Sequence, residues 1–332
     1  MHKVILDTDP GIDDAMAIAF ALAHPLIEVL ALTTVFGNTS VDKTTRNAQY
    51  ILEMFGAVDV DVARGAEVPL VQTPLPHSEH VHGEDGIGNT YPNTAVELNT
   101  AASHAQVHAL PAAEYIVNEV RKQPGEITLI AVGPLTNIAL ALQLEPALPS
   151  MVKQLIVMGG TVDEPGNVTP LAEANFFNDP HAADQLLAEE WPMVVVGLDV
   201  THQVMITNTH LAMLRDKAGK TGDFLWRSSR FYIDFYTQKG AAQTLAEPSC
   251  AMHDAAAIAY LVVNDAFTVQ YGRSRVVNDG IAAGQLAIDR RGYGYATEYW
   301  QDRPAGNGAC MQVDDTRVLN EFLNTIVEHH LS

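Results

Sequence analysis

Four carboxylates lie within eight residues near the start of the chain, in the stretch DTDPGIDD at residues 7–14. Carboxylates this close disfavour one another's ionised forms unless a cation or several hydrogen-bond donors compensate their charge. Hard oxygen ligands in this number suit Ca²⁺ or Mg²⁺, and Ca²⁺ accepts an irregular shell of about 6–8 oxygens. An acidic first helical turn would explain Asp13 or Asp14, but hardly both together with Asp7 and Asp9. The stretch therefore predicts a metal site.

A later carboxylate, Asp254, follows His253 at the start of the apolar segment 255–263. Asp is a common helix N-cap, so a purely structural role is one interpretation. The same Asp could instead supply a further ligand to the cation. His253 would then stand beside the metal with an ordinary pKa suited to proton transfer.

Polar side chains also gather between residues 167 and 175, where Asn167, Glu173 and Asn175 occur. Asn and Glu combine donors and acceptors that suit the hydroxyl groups of a sugar. Asn also favours turns, so an ordinary loop explains this stretch about equally well.

Three histidines, His77, His80 and His82, lie in a segment with glycines at positions 83, 86 and 88. Histidines at this spacing could bind zinc. The glycines indicate a flexible loop, and we favour a mobile lid at residues 76–90.

Two other functions compete with a metal-dependent enzyme that acts on a sugar derivative. A strand followed by Asp-x-Asp also opens the aspartyl-phosphate phosphatases, whose first Asp is the nucleophile and whose metal is Mg²⁺. Those enzymes need a downstream Lys, and Lys153 and Lys217 do not stand in such a setting. A non-catalytic, Ca²⁺-dependent nucleoside- or sugar-binding protein is the second alternative. The pairing of Asp9 with His253 argues against it, because binding alone needs no acid–base pair.

The elements that must position these residues alternate along the first 200 residues. Near-continuously apolar segments predict strands at 3–8, 28–34, 58–63, 126–132, 152–158 and 193–198. Helical patterns lie between them at 13–23, 41–55, 111–122, 135–144 and 181–189. This order predicts an α/β fold, a single doubly wound domain spanning residues 1–332 with a mostly parallel central sheet. Ligands bind beyond the carboxyl ends of such strands, where the polar clusters lie.

The remaining chain has a different pattern. It predicts helices at 209–218, 223–239, 253–263 and 316–329, and shorter strands at 268–277, 285–288 and 309–314. Residues 64–108 lack periodicity and are rich in His, Pro, Gly and Asn, which is typical of a functional or mobile loop.

Composition narrows the class of protein. The chain has 332 residues and a formal net charge of −21. That sign argues against a nucleic acid partner and against anionic membrane surfaces. Two cysteines exclude a disulfide framework. The apolar start is too short for a signal peptide, and the longest apolar stretch, 15–23, is too short to span a bilayer. We therefore expect a cytoplasmic protein with neither nucleic acid nor membrane as a partner.

Several of these motifs occur in one order between residue 3 and about residue 262. They are DTDPGIDDA at 7–15, GPLTN at 133–137, MGG at 158–160, Asn167, EAN at 173–175, DP at 179–180 and HD at 253–254. In this order they resemble the inosine–uridine-preferring nucleoside hydrolase family. The resemblance implies Ca²⁺-dependent cleavage of the N-glycosidic bond of ribonucleosides, giving ribose and a free base, by a homodimer or homotetramer.

The resemblance also implies roles for individual residues. The Ca²⁺ ligands would be Asp9, Asp14, Asp254 and the main-chain carbonyl of Val132. Asp9 would also be the general base for the attacking water, and His253 is our candidate donor of a proton to the departing base. The ribose site would comprise Asp13 and Asn175 at the 2′- and 3′-hydroxyls, Asn167 and Glu173 near the 5′-hydroxyl, Asn38 beside the acidic cluster and Met158 against the sugar.

Contacts to the nucleobase are predicted from two further segments. His82 would come over the sugar or base when the lid closes. Tyr232 and Tyr236 are candidates within the aromatic stretch 231–236, where helical spacing also predicts core positions for Phe231 and Phe235. Ala174 leaves room for a purine, so we expect activity on both inosine and uridine.

Overall fold

The computed structural model of the chain describes residues 1–92, 105–239, 247–293, 295–301 and 304–331. Residues 93–104 of the predicted loop 64–108 lie outside the described residues. The described strands are β1 (His2–Thr8), β2 (Ile27–Thr34), β3 (Asp61–Arg64), β4 (Ile127–Ala131), β5 (Gln154–Met158), β6 (Met193–Val196), β7 (Met205–Thr207), β8 (Ser249–Ala251), β9 (Phe267–Tyr271), β10 (Arg273–Val276), β11 (Leu286–Asp289) and β12 (Gly308–Val313).

The helices of the described chain range from single turns to 21 residues. They are α1 (Ile12–Ala23), α2 (Val41–Met54), α3 (Glu79–His82), α4 (Ala112–Lys122), α5 (Thr136–Leu144), α6 (Leu148–Met151), α7 (Ala174–Asn178), α8 (Pro180–Leu187), α9 (Leu198–Thr201), α10 (Asn208–Lys217), α11 (Gly219–Lys239), α12 (His253–Val262) and α13 (Asp315–Leu331).

A central sheet contains eight of these strands in the order β3-β2-β1-β4-β5-β6-β12-β9. The pairs from β3 to β12 are parallel, and β9 at the edge runs antiparallel to β12. The prediction of an α/β fold with a mostly parallel sheet is confirmed.

Apolar layers cover both faces of the sheet. Alternate residues of a strand point to opposite faces, so Val4 and Leu6 pack with α1, α2 and α12 while Ile5 packs with α4, α5 and α8. Burial on both faces explains why the strand sequences are almost continuously apolar.

The register of the sheet brings the polar clusters to one edge. Asp7 near the end of β1 pairs with Thr33 of β2 and Ala131 of β4. Since these strands are parallel and end level with one another, the residues that follow them emerge side by side. The loops after β1, β2 and β4 therefore meet above the sheet.

The short helices α3, α6, α7 and α9 were not predicted. The structure also differs from the predicted strands in two places. The predicted strand 268–277 is divided at Gly272 into β9, which joins the main sheet, and β10, which pairs with β11. The short antiparallel pair β7–β8 was not predicted, because three residues carry too little periodicity. This pair matters for the site, since α12 starts two residues after β8 ends.

Among the described residues, no helix combines the length and the apolar composition needed to cross a bilayer.

Candidate active site

Three buried carboxylates meet at the start of two helices. Because α1 begins at Ile12 and α12 at His253, Asp13, Asp14 and Asp254 all lie in first helical turns, where negative charge is favourable. One oxygen from each lies within 4.8 Å of the other two. In the described chain, no other three His, Cys, Asp or Glu side chains come this close, and His77, His80 and His82 form no such group.

Asp14 is held firmly within this cluster. One carboxylate oxygen accepts the hydroxyl of Thr8 at 2.5 Å, and the other accepts the N–H of Gly11 at 2.9 Å and the side-chain amide of Asn38 at 3.0 Å. Asn38 therefore helps to hold the Asp14 carboxylate in place.

Asp9 stands beside the cluster in a narrow space. Its Oδ2 accepts the N–H of Asn38 at 2.7 Å. A Cβ atom at Gly37 would lie 2.1 Å from Oδ2, and one at Gly133 would lie 2.6 Å from Oδ1. Both glycines are thus required by the close approach of this carboxylate.

The acidic cluster meets the physical requirements for a divalent cation. Burial raises the pKa of Asp13 and of Asp14 to about 6, and burial together with the neighbouring carboxylates raises the pKa of Asp9 and Asp254 well above the usual value. Oδ1 of Asp9 and Oδ1 of Asp13 are buried, and neither has a hydrogen-bond partner within the described residues. Oxygen donors with uncompensated negative charge fit a hard divalent cation.

The first carboxylate of the motif, Asp7, does not join this cluster. It accepts hydrogen bonds from Thr33 Oγ1 at 2.9 Å and Asn137 Nδ2 at 2.8 Å. Asn137 also donates to the carbonyl of Thr34 at 2.9 Å and accepts the N–H of Ala66 at 2.8 Å. Asp7 and Asn137 therefore bind the ends of neighbouring strands together.

A second polar group lies on the short helix α7. Glu173 caps this helix and accepts the N–H groups of Asn175 at 2.8 Å and Gly160 at 2.8 Å, while burial raises its pKa to about 7. Asn175 Nδ2 donates to the carbonyls of Val132 at 2.8 Å and Met158 at 3.1 Å. The amide of Asn175 therefore joins the ends of β4 and β5.

Asn167 lies nearby but is exposed. Its Oδ1 accepts the N–H of Ala174 at 3.0 Å, which ties the loop after β5 to the start of α7. The structure therefore brings Asn167, Glu173 and Asn175 to one side of the site.

His253 is held at both ring nitrogens. Its Nδ1 lies 2.7 Å from Thr201 Oγ1, and its Nε2 lies 2.7 Å from the hydroxyl of Tyr236. Burial is the main cause of a His253 pKa well below the usual value. The ring of Tyr236 meets that of Tyr232 edge-on at 5.0 Å, and the Tyr232 hydroxyl lies 3.5 Å from Asp13 Oδ2. The aromatic pair thus connects His253 with the acidic cluster.

His82, on α3, is also buried against the site. Its Nδ1 accepts the N–H of Ile12 at 3.2 Å and lies 3.9 Å from Asp13 Oδ1. Its ring stacks on Tyr232 at 5.5 Å, and burial lowers its pKa to about 4. A neutral His82 therefore supplies contact and a hydrogen-bond acceptor rather than charge.

The segment predicted as a lid has one anchored half. The carboxylate of Asp85 accepts the N–H groups of Ile87, Asn89 and Tyr91 at 2.7–2.8 Å, and Ile87 is fully buried. His82, before Gly83, is likewise buried and hydrogen-bonded to Ile12, so lid movement stays a prediction.

One cavity of about 630 Å³ connects these groups. All predicted site residues except Asp9 and Asp14 line this cavity. The lining residues that were predicted are Asp13, Asn38, His82, Val132, Met158, Asn167, Glu173, Asn175, Tyr232, Tyr236, His253 and Asp254.

The sequence did not reveal every residue of this site. His202 lines the cavity, and Thr201 holds His253. Both follow Asp199, whose place after β6 was the available signal. Phe235 also lines the cavity, although helical spacing predicted a core position for it. It lies three residues from Tyr232 and so shares a helix face with it, and that relation could have identified it.

Comparisons with known proteins give a consistent result over most of the chain. A family model described as inosine-uridine preferring nucleoside hydrolase matches residues 4–320. Uridine nucleosidase 1 of Arabidopsis thaliana is 36% identical over 289 residues, covering 87% of this chain and 82% of that protein. The inosine-uridine preferring nucleoside hydrolase of Leishmania major is 37% identical over 293 residues, covering 87% and 88%. A solved plant nucleoside hydrolase has a TM-score of 0.89 at 35% identity, covering 98% of this chain and 99% of that chain.

Proposed function

Because this chain belongs to the inosine–uridine preferring nucleoside hydrolase family and is a ribonucleoside hydrolase, we propose that it hydrolyses both inosine and uridine with Ca²⁺ as its cofactor. The observation that carries this proposal is one cavity that combines the buried acidic cluster with the His253–Tyr236 hydrogen bond. Cleavage of an N-glycosidic bond needs a base for water on one side and a proton for the leaving group on the other. The acidic cluster would supply the base, and the His253–Tyr236 pair would supply the proton.

The proposed Ca²⁺ ligands are Asp9, Asp14, Asp254 and the carbonyl of Val132. Asp13 adds an oxygen within reach of the same position, which supports a ligand shell built from several carboxylates. A Ca²⁺ ion held there would lower the pKa of a water molecule and orient the ribose hydroxyl groups.

Asp9 is the proposed general base. Its Oδ2 is committed to the N–H of Asn38, whereas Oδ1 is buried and has no partner among the described residues. An orphaned carboxylate oxygen of raised pKa is well suited to accept a proton from the attacking water.

The remaining polar groups are proposed to bind ribose. Asp13 and Asn175 would take the 2′- and 3′-hydroxyls, and Asn167 and Glu173 the 5′-hydroxyl. The acidic surroundings would also stabilise positive charge that develops on the sugar as the bond breaks. Met158, which lines the cavity below Asn175, would pack against the ring.

The departing base accumulates negative charge, and the His253–Tyr236 pair is proposed to supply its proton. Thr201 fixes the His253 ring at Nδ1, so Nε2 faces Tyr236 and the cavity. Ala174, which lines the same cavity, leaves space for a purine as well as a pyrimidine.

Ribose release is the direct test of the proposed function. We expect purified protein to release ribose from inosine and from uridine, to lose this activity on exhaustive chelation, and to regain it with Ca²⁺. Absence of ribose from either nucleoside would contradict the proposed substrates. Full activity in chelated protein that has been shown to contain no metal would contradict the proposed Ca²⁺ requirement.

A second expected result concerns the leaving group. His253→Ala should lower kcat/KM for inosine by roughly 10²-fold, the range for loss of a positioned acid, and should affect uridine less. A purine can accept the proton on its ring, whereas a pyrimidine has a poorer site for it. Tyr236→Phe is the matched variant, since it keeps the ring and removes the hydroxyl. Equal losses on both nucleosides, or no loss, would exclude His253 as a base-selective acid.

We also propose that residues 1–332 form a single domain with a lid at 76–90, that the protein is a homodimer or homotetramer, and that it is cytoplasmic. Light scattering of the purified protein would establish the number of subunits.

A further inference from the structure

The cavity contains an imidazole that the proposed reaction does not use, that of His202. Its ring meets the ring of His253 at an angle of 64°, with the centroids 5.4 Å apart. Within the described part of the chain, neither ring nitrogen of His202 has a hydrogen-bond partner, in contrast to both nitrogens of His253. His202 therefore keeps hydrogen-bonding capacity for a molecule in the cavity.

A rigid turn, rather than the lid, positions His202. Its N–H donates to the carbonyl of Leu198 at 3.3 Å at the end of α9. The carboxylate of Asp199 accepts the N–H of Val162 at 2.8 Å, and the amide of Gln203 donates to the Asp199 carbonyl at 2.6 Å. Because the backbone of this turn is fixed before binding, only the side-chain torsions of His202 lose freedom when a ligand arrives.

The chemistry of His202 suits a nucleobase better than a sugar or an ion. Burial lowers its pKa, so the ring is neutral near pH 7 and offers one donor and one acceptor. It lies beside His253, on the side proposed for the leaving base, and not among the carboxylates proposed for ribose and metal.

The groups around His202 favour one class of base. A purine presents N7 and the substituent at position 6 side by side on one edge. On the corresponding edge a pyrimidine presents its substituent at position 4 beside an apolar C5. The Tyr236 hydroxyl, which hydrogen-bonds His253 Nε2, and a ring nitrogen of His202 offer one hydrogen-bonding group for each of the two purine atoms.

We infer, on the basis of the proposed function, that His202 is a base-binding residue that hydrogen-bonds the leaving purine and raises selectivity for purine over pyrimidine nucleosides. In this arrangement His253 and Tyr236 supply a proton to the leaving group, whereas His202 distinguishes a purine from a pyrimidine. A purely structural role, in which the ring only packs on His253, is the alternative to exclude.

The test compares three substrates in two variants. His202→Phe keeps an aromatic ring against His253 and removes both nitrogens, whereas His202→Asn keeps a donor and an acceptor. We expect His202→Phe to lower kcat/KM for inosine about ten-fold, as for one lost hydrogen bond, and to change uridine by less than about two-fold. His202→Asn should recover part of the inosine activity. 4-Nitrophenyl β-ribofuranoside, whose leaving group needs no proton and has no purine edge, should be cleaved by all variants at the wild-type rate.

The outcomes separate this inference from the proposed function. Unchanged inosine kinetics in His202→Phe, or an equal loss on the nitrophenyl riboside, would overturn the role of His202 while leaving the hydrolase activity in place. If the wild-type protein released ribose from none of the three substrates, the proposed function itself would fall, and the inference with it.

Discussion

Asp14→Ala is expected to abolish Ca²⁺ binding and to lower kcat/KM by more than about 10³-fold. Asp14 is fully buried, and its oxygens lie with those of Asp13 and Asp254 at the proposed metal position. The variant removes a charged ligand and also leaves the hydroxyl of Thr8 and the N–H of Gly11 without their acceptor. Metal content, a calorimetric Ca²⁺ titration and ribose release should all fall together.

The motif offers its own control for this experiment, Asp7→Asn. Asp7 is equally buried, but it binds Thr33 and Asn137 rather than joining the acidic cluster. The control should lose some thermal stability and keep its metal. Normal metal content and near-normal turnover in Asp14→Ala would show that the ligand assignment is wrong. Circular dichroism of both variants excludes unfolding as the cause.

The sheet could be predicted because burial on both faces imposes a simple pattern. The central positions of strands such as β1 and β5 are apolar without alternation, at 4–6 and 155–158, and that pattern is visible in a single sequence. The β7–β8 pair could not be found in this way. Its three-residue strands form through contacts between distant segments, and no local pattern records which segments meet.

The acidic motif shows the same limit at the level of single residues. Asp7 and Asp9 are indistinguishable by type and spacing, yet only Asp9 lies beside the acidic cluster. The difference is that β1 extends to Thr8, so the side chain of Asp7 is still directed by the sheet. Asp9 comes after the strand end and can turn toward the loops. The predicted strand at 3–8 already placed Asp7 inside the strand and Asp9 after its end.

Residues around the base side of the cavity were harder to predict. Thr201 and His202 follow β6, whereas His253 follows β8. They contact one another because the fold brings the segments after these two strands together. Phe235 was assigned to the core from spacing alone. Spacing identifies which residues share a helix face, but not whether that face meets the core or a cavity.

The second large effect expected is in Asp9→Asn, which should lower kcat by roughly 10²-fold or more while changing KM little. Asn has nearly the shape of Asp, so it can occupy the narrow space between Gly37 and Gly133. Its side-chain oxygen can still accept the N–H of Asn38, which holds the group in place. What the variant loses is the ability to take a proton at the position of Oδ1.

Asp13→Asn is the matched comparison, because Asp13 also carries a buried Oδ1 without a partner among the described residues. If Asp13 binds ribose, its variant should raise KM more than it lowers kcat, the reverse of Asp9→Asn. Metal content must be measured in both, since each carboxylate lies in or beside the cluster. Full metal occupancy with a wild-type kcat in Asp9→Asn would move the base role away from Asp9. A kcat loss confined to Asp13→Asn would assign it to Asp13, the other carboxylate with an oxygen left to accept a proton.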